Sequence, residues 1–318
     1  MGRVHGLFVA AALGLATNPA FAYPDRPVTI VVPNPPGGTS DIVARVLAEK
    51  LTEELKQPFV IENRPGAGGT IGSQAVARAE PDGYTLLVTT TQHTINPFVL
   101  KNIGFEPIKS FSPVSLLVTV DTVLIANTSF APNNIAELIT LAKKDPGKLQ
   151  YATPGHGTMA HLLSELLNLM AGIKIEHVPY KGVAPAVTDV LAGHVPMTFS
   201  SLPPAIALIK QGRVKPLGLS AATRGKMAPD IPAIAETIPG YKGDFWIGLF
   251  TTAGAPKEVV SKLQEAAVKA LNRPDARAKL EGLGAQITTS SSADFTKLLE
   301  EDLTRWSKVV KDTGMKLE

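Results

Sequence analysis

Short apolar runs that read as strands alternate with stretches whose apolar residues recur every three or four positions, the spacing of a helix buried along one face. Val28–Val32 is such a run, and it precedes Ile42–Leu55, in which Ile42, Val46, Ala48, Leu51 and Leu55 share a face. Phe59–Glu62 (strand), Ile71–Ala79 (helix) and Thr85–Thr89 (strand) follow, with Pro81-Asp82-Gly83 as a turn. A second series places strands at Val123–Ala126, Leu149–Ala152, Ile175–Val178, Val195–Phe199 and Val214–Leu219. Helices at Ile135–Lys143, Met159–Met170, Ala184–Ala192 and Pro203–Gln211 lie between them. The chain then returns with a strand at Phe245–Thr251 and helices at Pro256–Asn272, Pro274–Leu283 and Ser292–Thr313, expected to cover the first domain. Strand and helix in alternation predict an α/β protein, each sheet mostly parallel and flanked by helices.

A chain of 318 residues exceeds what one core usually holds. We expect a first domain of residues 23–121 plus 245–318 and a second of 122–244. The crossings fall near Leu117–Thr122 and Tyr241–Trp246, and two crossings make a hinge on which domains close over a small ligand.

Two segments share one grammar. The strand Val28–Val32 leads through Pro33-Asn34-Pro35-Pro36-Gly37-Gly38-Thr39-Ser40-Asp41 into a helix from Ile42. The strand ending at Thr153 leads through Pro154-Gly155-His156-Gly157-Thr158 into a helix from Met159. Each turn directs backbone N–H groups of a helix N-terminus at whatever lies in front, an anion site without a basic side chain. In the first, the amides of Gly37, Gly38 and Thr39 and the hydroxyls of Thr39 and Ser40 are the expected donors. Asp41 complements the helix dipole. In the second, Thr158 is the expected cap, and His161 reaches back toward it as a neutral donor. Two stretches follow strand ends, where open α/β sheets bind ligands. One holds Thr90, Thr91 and Gln92, the other Ser200 and Ser201, all neutral hydrogen-bonding residues.

Residues 1–22 read as a secretory signal: Arg3 and His5, an apolar run from Leu7 to Ala16, then Ala20-Phe21-Ala22 as the cleavage pattern. The mature chain is expected to begin at Tyr23, in the periplasm. The absence of cysteine excludes disulfides, a thiolate nucleophile and Cys-ligated zinc. Charge is nearly balanced, 31 Lys+Arg against 28 Asp+Glu, with no basic stripe, so nucleic acid is not an expected partner.

Other chemistries find little support. Gly66-Ala67-Gly68-Gly69-Thr70-Ile71-Gly72 misses the dinucleotide fingerprint because Ile71 stands at the third glycine. His156, His161 and Glu165 match no common zinc spacing, so neither metal nor cofactor is expected. There is no G-x-S-x-G and no visible carboxylate pair near either turn.

The turn Pro33–Asp41, the loop Glu62-Asn63-Arg64-Pro65-Gly66-Ala67-Gly68-Gly69, Pro81-Asp82-Gly83-Tyr84 and His177-Val178-Pro179-Tyr180-Lys181-Gly182 occur in this order. Together they resemble the Bug family, also called the TctC family, of periplasmic solute-binding proteins. The resemblance implies a two-domain periplasmic-binding-protein fold, type II-like, closing on an organic carboxylate: a mono-, di- or tricarboxylate or an aromatic acid. It also implies delivery by a monomer to the membrane subunits of a tripartite tricarboxylate transporter. The family's ligand loops fall on Pro36 to Thr39 and on Gly155 to Thr158 with His161. Thr90–Gln92 and Ser200-Ser201 form the variable walls. The chain departs from the pattern at His156, where many members carry Asn or a small residue. At Ser200-Ser201 many carry an acid, whose loss disfavours an ammonium-bearing ligand. An exported enzyme acting on carboxylates and a chemosensory binding protein are the competing readings.

Overall fold

The computed structural model describes residues 23–315 together with Gly2. The expected signal segment lies outside the described residues, Gly2 excepted.

The first series is β1 (Val28–Val32), α1 (Thr39–Leu55), β2 (Phe59–Asn63), α2 (Thr70–Ala77), β3 (Thr85–Thr90), α3 (Gln92–Val99) and β4 (Phe111–Val120). The second opens with β5 (Thr122–Asn127), α4 (Ile135–Lys144), β6 (Gln150–Thr153) and α5 (Met159–Ala171). It continues through β7 (Glu176–Pro179), α6 (Val183–Ala192), β8 (Met197–Ser201), α7 (Leu202–Lys210) and β9 (Val214–Leu219). The return consists of β10 (Phe245–Thr252), α8 (Lys257–Leu271), α9 (Pro274–Glu281), β11 (Ala285–Ile287) and α10 (Ser292–Thr313).

Two sheets result, in strand order β11-β4-β10-β3-β1-β2 and β7-β6-β8-β5-β9. Both are mixed, which corrects the expectation of mostly parallel sheets. The βαβ units do pair in parallel, β1 with β2 and β3, and β6 with β7 and β8. The strands that carry the chain between sheets run against their neighbours: β10 against β3 and β4, and β5 against β8 and β9. These arrive from the other sheet and not through a helical crossover, so nothing imposes the parallel direction. One residue, Asp121, separates β4 in the first sheet from β5 in the second.

Local chemistry explains most elements. In α1, Val43, Ala44, Val46, Leu47 and Leu51 are buried on one face, against the core that β1 and α8 also line. Gly248 of β10 leaves room for Phe295 of α10, since a Cβ there would lie 2.1 Å from the ring.

Three departures bear on the site. The stretch after β3 is a helix, α3, although its Thr94 and Pro97 are poor helix formers. Its Ile95 and Val99 are buried in a core with Leu162, Leu163 and Leu166 of α5, and that burial overrides propensity. α10 does not cover the first sheet alone. Phe295 and Leu299 pack with Trp246 and Phe250 of β10, whereas Trp306 and Val309 join the core of α5. α1 begins at Thr39, three residues before the expected Ile42, which brings its N-terminus to the glycine turn.

Candidate functional site

Both glycine turns fold alike. Gly37 and Gly157 have positive φ, +84° and +63°, which their missing side chains permit. The next residues, Gly38 (φ −75°, ψ 165°) and Thr158 (φ −74°, ψ 160°), are the N-caps of α1 and α5. Four residues past each glycine a buried side chain turns back. Asp41 Oδ2 accepts from the Gly37 amide at 2.9 Å, and His161 Nδ1 accepts from the Gly157 amide at 3.2 Å.

Neither helix has a side-chain cap. This differs from α4 and α10, whose caps Asn134 and Ser291 accept from Glu137 and Asp294. Ser40 Oγ instead donates to Asn34 Oδ1 at 3.0 Å, and Thr158 Oγ1 to the Gly155 carbonyl at 2.9 Å. The first intrahelical bonds start from the Ile42 and Leu162 amides. Among the described residues, the amides of Thr39, Ser40 and Asp41, and of Met159, Ala160 and His161, therefore have no protein acceptor.

Charge near these amides is cancelled in place. Burial would raise the Asp41 carboxyl. Hydrogen bonds from Arg45 (2.9 Å), the Gly37 amide and Asn63 (2.8 Å) outweigh it and hold Asp41 below the usual carboxylate range. Burial, then the charges of His177 and His156, push His161 down to about 3. Burial and His156 push His177 down to about 4. His161 and His177 are thus neutral at neutral pH.

The turns line one cleft of about 800 Å³. Pro35, Pro36, Gly38, Thr39 and Ser40 contribute from one side, and Pro154, His156, Gly157, Thr158, Met159 and Ala160 from the other. Thr90, Gln92 and Asn96 form one wall, Phe199, Ser200 and Ser201 another. Among the described residues, no Lys, Arg, Asp or Glu lines it, and His156 is its one titratable side chain. Gln92 Nε2 donates to Asn96 Oδ1 at 2.7 Å and reaches the Gly157 carbonyl at 3.5 Å. Asn96 in turn donates to the Gly68 carbonyl at 3.0 Å.

Residues 43–315 match the model of the tripartite tricarboxylate transporter family receptor, TctC. The chain belongs to this family. It is 35% identical to a solved periplasmic binding protein, BugD, over 93% of this chain and 100% of that one, with a TM-score of 0.74. It is 34% identical to Rpa4515 of R. palustris, solved with adipate, at the same coverage and a TM-score of 0.77. MatC of Rhodopseudomonas palustris, with bound malate, is 33% identical, covers 91% of this chain and 100% of its own, and gives a TM-score of 0.73. The two mixed α/β sheets are those of periplasmic binding proteins, and TctC members are solute receptors. No described helix is long and apolar enough to cross a membrane.

Within this TctC receptor the sequence-derived residues divide into two shells. Pro36, Gly38, Thr39, Ser40, Thr90, Gln92, His156, Gly157, Thr158, Ser200 and Ser201 line the cleft. Gly37, Asp41, Thr91, Thr153, Gly155 and His161 stand behind that lining. The Gly37 amide, an expected donor to a ligand, is engaged by Asp41. His161 accepts a hydrogen bond where it was expected to donate one. Thr91 is fully buried, with its hydroxyl accepting from Trp246 N at 2.9 Å and its amide donating to Trp246 O at 3.1 Å, so it ties α3 to β10. Thr153 Oγ1 contacts His177 Nε2 at 2.6 Å.

The histidine set also differs from the sequence reading. Glu165 does not join it: its carboxylate accepts from Tyr151 Oη at 2.5 Å. His177 comes in instead, because β7 pairs in parallel with β6 and places His177 beside Tyr151. Asn96, Met159, Ala160 and Phe199 were also missed. Asn96 could have been found only by reading α3 as a helix, which puts it one turn past Gln92.

Proposed function

We propose that the cleft captures a small organic carboxylate, a mono- or dicarboxylate or an aromatic acid, and that the two domains close over it. One observation carries this: two helix N-termini border one cleft with, among the described residues, no Lys, Arg, Asp or Glu on its lining, and of their six amides without acceptors four belong to lining residues, Thr39, Ser40, Met159 and Ala160. Such amides and the helix dipoles favour an anion without a basic residue. Adipate and malate in the two solved relatives are ligands of that class. The absence of an acid on the described lining supports a ligand without an ammonium group.

Binding without turnover fits the same lining, since a lone His156 offers no acid–base pair. The liganded receptor is delivered as a monomer to transporter membrane subunits from the periplasm. Calorimetry on protein unfolded and refolded to remove bound solute tests the reading. A panel of adipate, malate, benzoate and glutamate should give one binding site for at least one ammonium-free acid. Silence across the panel and its longer homologues, or preference for glutamate, would defeat the proposal. A ligand at 100 times its Kd should stabilise the fold by about 2.7 kcal/mol.

A further inference from the structure

We propose that His156, His161 and His177 form a binding site for one divalent first-row transition metal, with zinc as its test ion, on the second-domain side of the cleft. One ring nitrogen from each of the three lies within 4.8 Å of the other two. His161 and His177 stack, centroids 3.8 Å apart and planes at 15°, while His156 stands across both at 75° and 86°. Three imidazoles are a donor set suited to zinc, copper or nickel.

The three rings are held to different degrees. His177 rides on β7, with Nε2 2.6 Å from Thr153 Oγ1. The same hydroxyl meets the Gly155 carbonyl at 3.1 Å and accepts from the Gly155 amide at 3.2 Å; in the tautomer protonated at Nε2, His177 donates to that oxygen and Nδ1 keeps its lone pair. That is the outer-shell hydrogen bond that commonly orients a ligating imidazole. His161 is fixed in the first turn of α5. His156 is exposed and, among the described residues, has no hydrogen-bond partner. A tetrahedral zinc with bonds of 2.0–2.1 Å needs nitrogens about 3.3 Å apart. Metal binding therefore requires the nearly parallel His161 and His177 rings to tilt toward a common point, and the unheld His156 ring turns to meet them. His156 also lines the cleft, so the fourth position opens toward it.

The site touches the anion turn. A metal on His161 either takes Nδ1, displacing the Gly157 N–H, or takes Nε2 and moves the ring proton to Nδ1. Both outcomes end the Gly157 amide to His161 bond and release that donor toward the cleft.

The experiment uses untagged full-length mature protein stripped with EDTA, titrated with zinc by calorimetry and with cobalt by visible absorption. One ion per chain is expected, with tetrahedral cobalt bands. His156→Ala and His177→Ala should each weaken zinc binding at least tenfold, while His194→Ala, a solvent-exposed control, leaves it unchanged. Far-UV circular dichroism checks folding; if His177→Ala misfolds, the exposed His156→Ala decides. An amide spectrum should show Gly157 shifted by zinc in the wild type alone. No stoichiometric uptake, or uptake indifferent to His156, would overturn the site and show a purely packed histidine stack. No carboxylate is added, so this result is independent of the transport reading.

Discussion

At the scale of single residues, Gly37 with Asp41 and Gly157 with His161 solve one problem with different chemistry. A glycine with positive φ turns the chain into a helix, and the side chain four residues on engages its amide. The amides beyond it stay available. In Gly157→Ala, the new Cβ would sit 3.0 Å from Val99 Cβ in a conformation that L residues adopt at a cost of about 1–2 kcal/mol. We expect the unfolding free energy to fall by that amount and carboxylate binding to weaken, read by denaturation and calorimetry on one variant. His93 makes a different prediction. It is buried among Phe105, Phe111 and Phe250, with Nε2 2.8 Å from the Pro107 carbonyl and Nδ1 unpartnered. Burial pushes it from 6.5 down to about 4. Between those values the unfolded chain binds a proton that the native state refuses, so stability falls as pH drops from 6.5 to 4. The loss is on the order of 3 kcal/mol. Denaturant titrations of the wild type should show this slope added to that of His161 and His177, which burial also holds neutral, and His93→Phe should remove its own share and leave theirs.

At the scale of elements, α10 carries the most consequence. Its sequence stripe was legible, and its bounds, Ser292–Thr313, agree with the reading. What it covers was not legible, because an amphipathic stripe records that a face is buried and not against what. Phe295 needs Gly248 opposite, and Trp246 Nε1 donates to buried Asp302 at 2.7 Å. Gly248→Ala should push Phe295 out of its seat and destabilise the protein by about 1–3 kcal/mol. An unchanged denaturation midpoint would show that α10 can slide to make room. α3 shows the opposite failure: weak local preference hid a helix that packing with α5 stabilises.

For the whole molecule, the shared core matters more than the two sheets. Ile95 and Val99 of α3, Trp306 and Val309 of α10, and Leu162 and Leu166 of α5 are buried together. Elements that follow strands of one sheet thus complete a core under the other. We expect one cooperative thermal transition, with calorimetric and van't Hoff enthalpies in agreement. Two separated transitions would mean that the shared core is not maintained. Ile95→Ala should lower the single transition by about 2–5 kcal/mol, through a cavity that both domains border.

Period and punctuation in the chain determined the βαβ units, the two glycine turns and the family, because strand spacing, Pro and Gly act within a few residues. Most of the cleft lining at those turns was legible for the same reason. Only the tertiary structure decided strand direction at the crossings, since it depends on which sheet a strand enters. Tertiary contact also brought His177 beside His156 and His161, and placed Asn96 on the wall. Those relations join residues whose contact depends on how elements pack, and no local pattern encodes them.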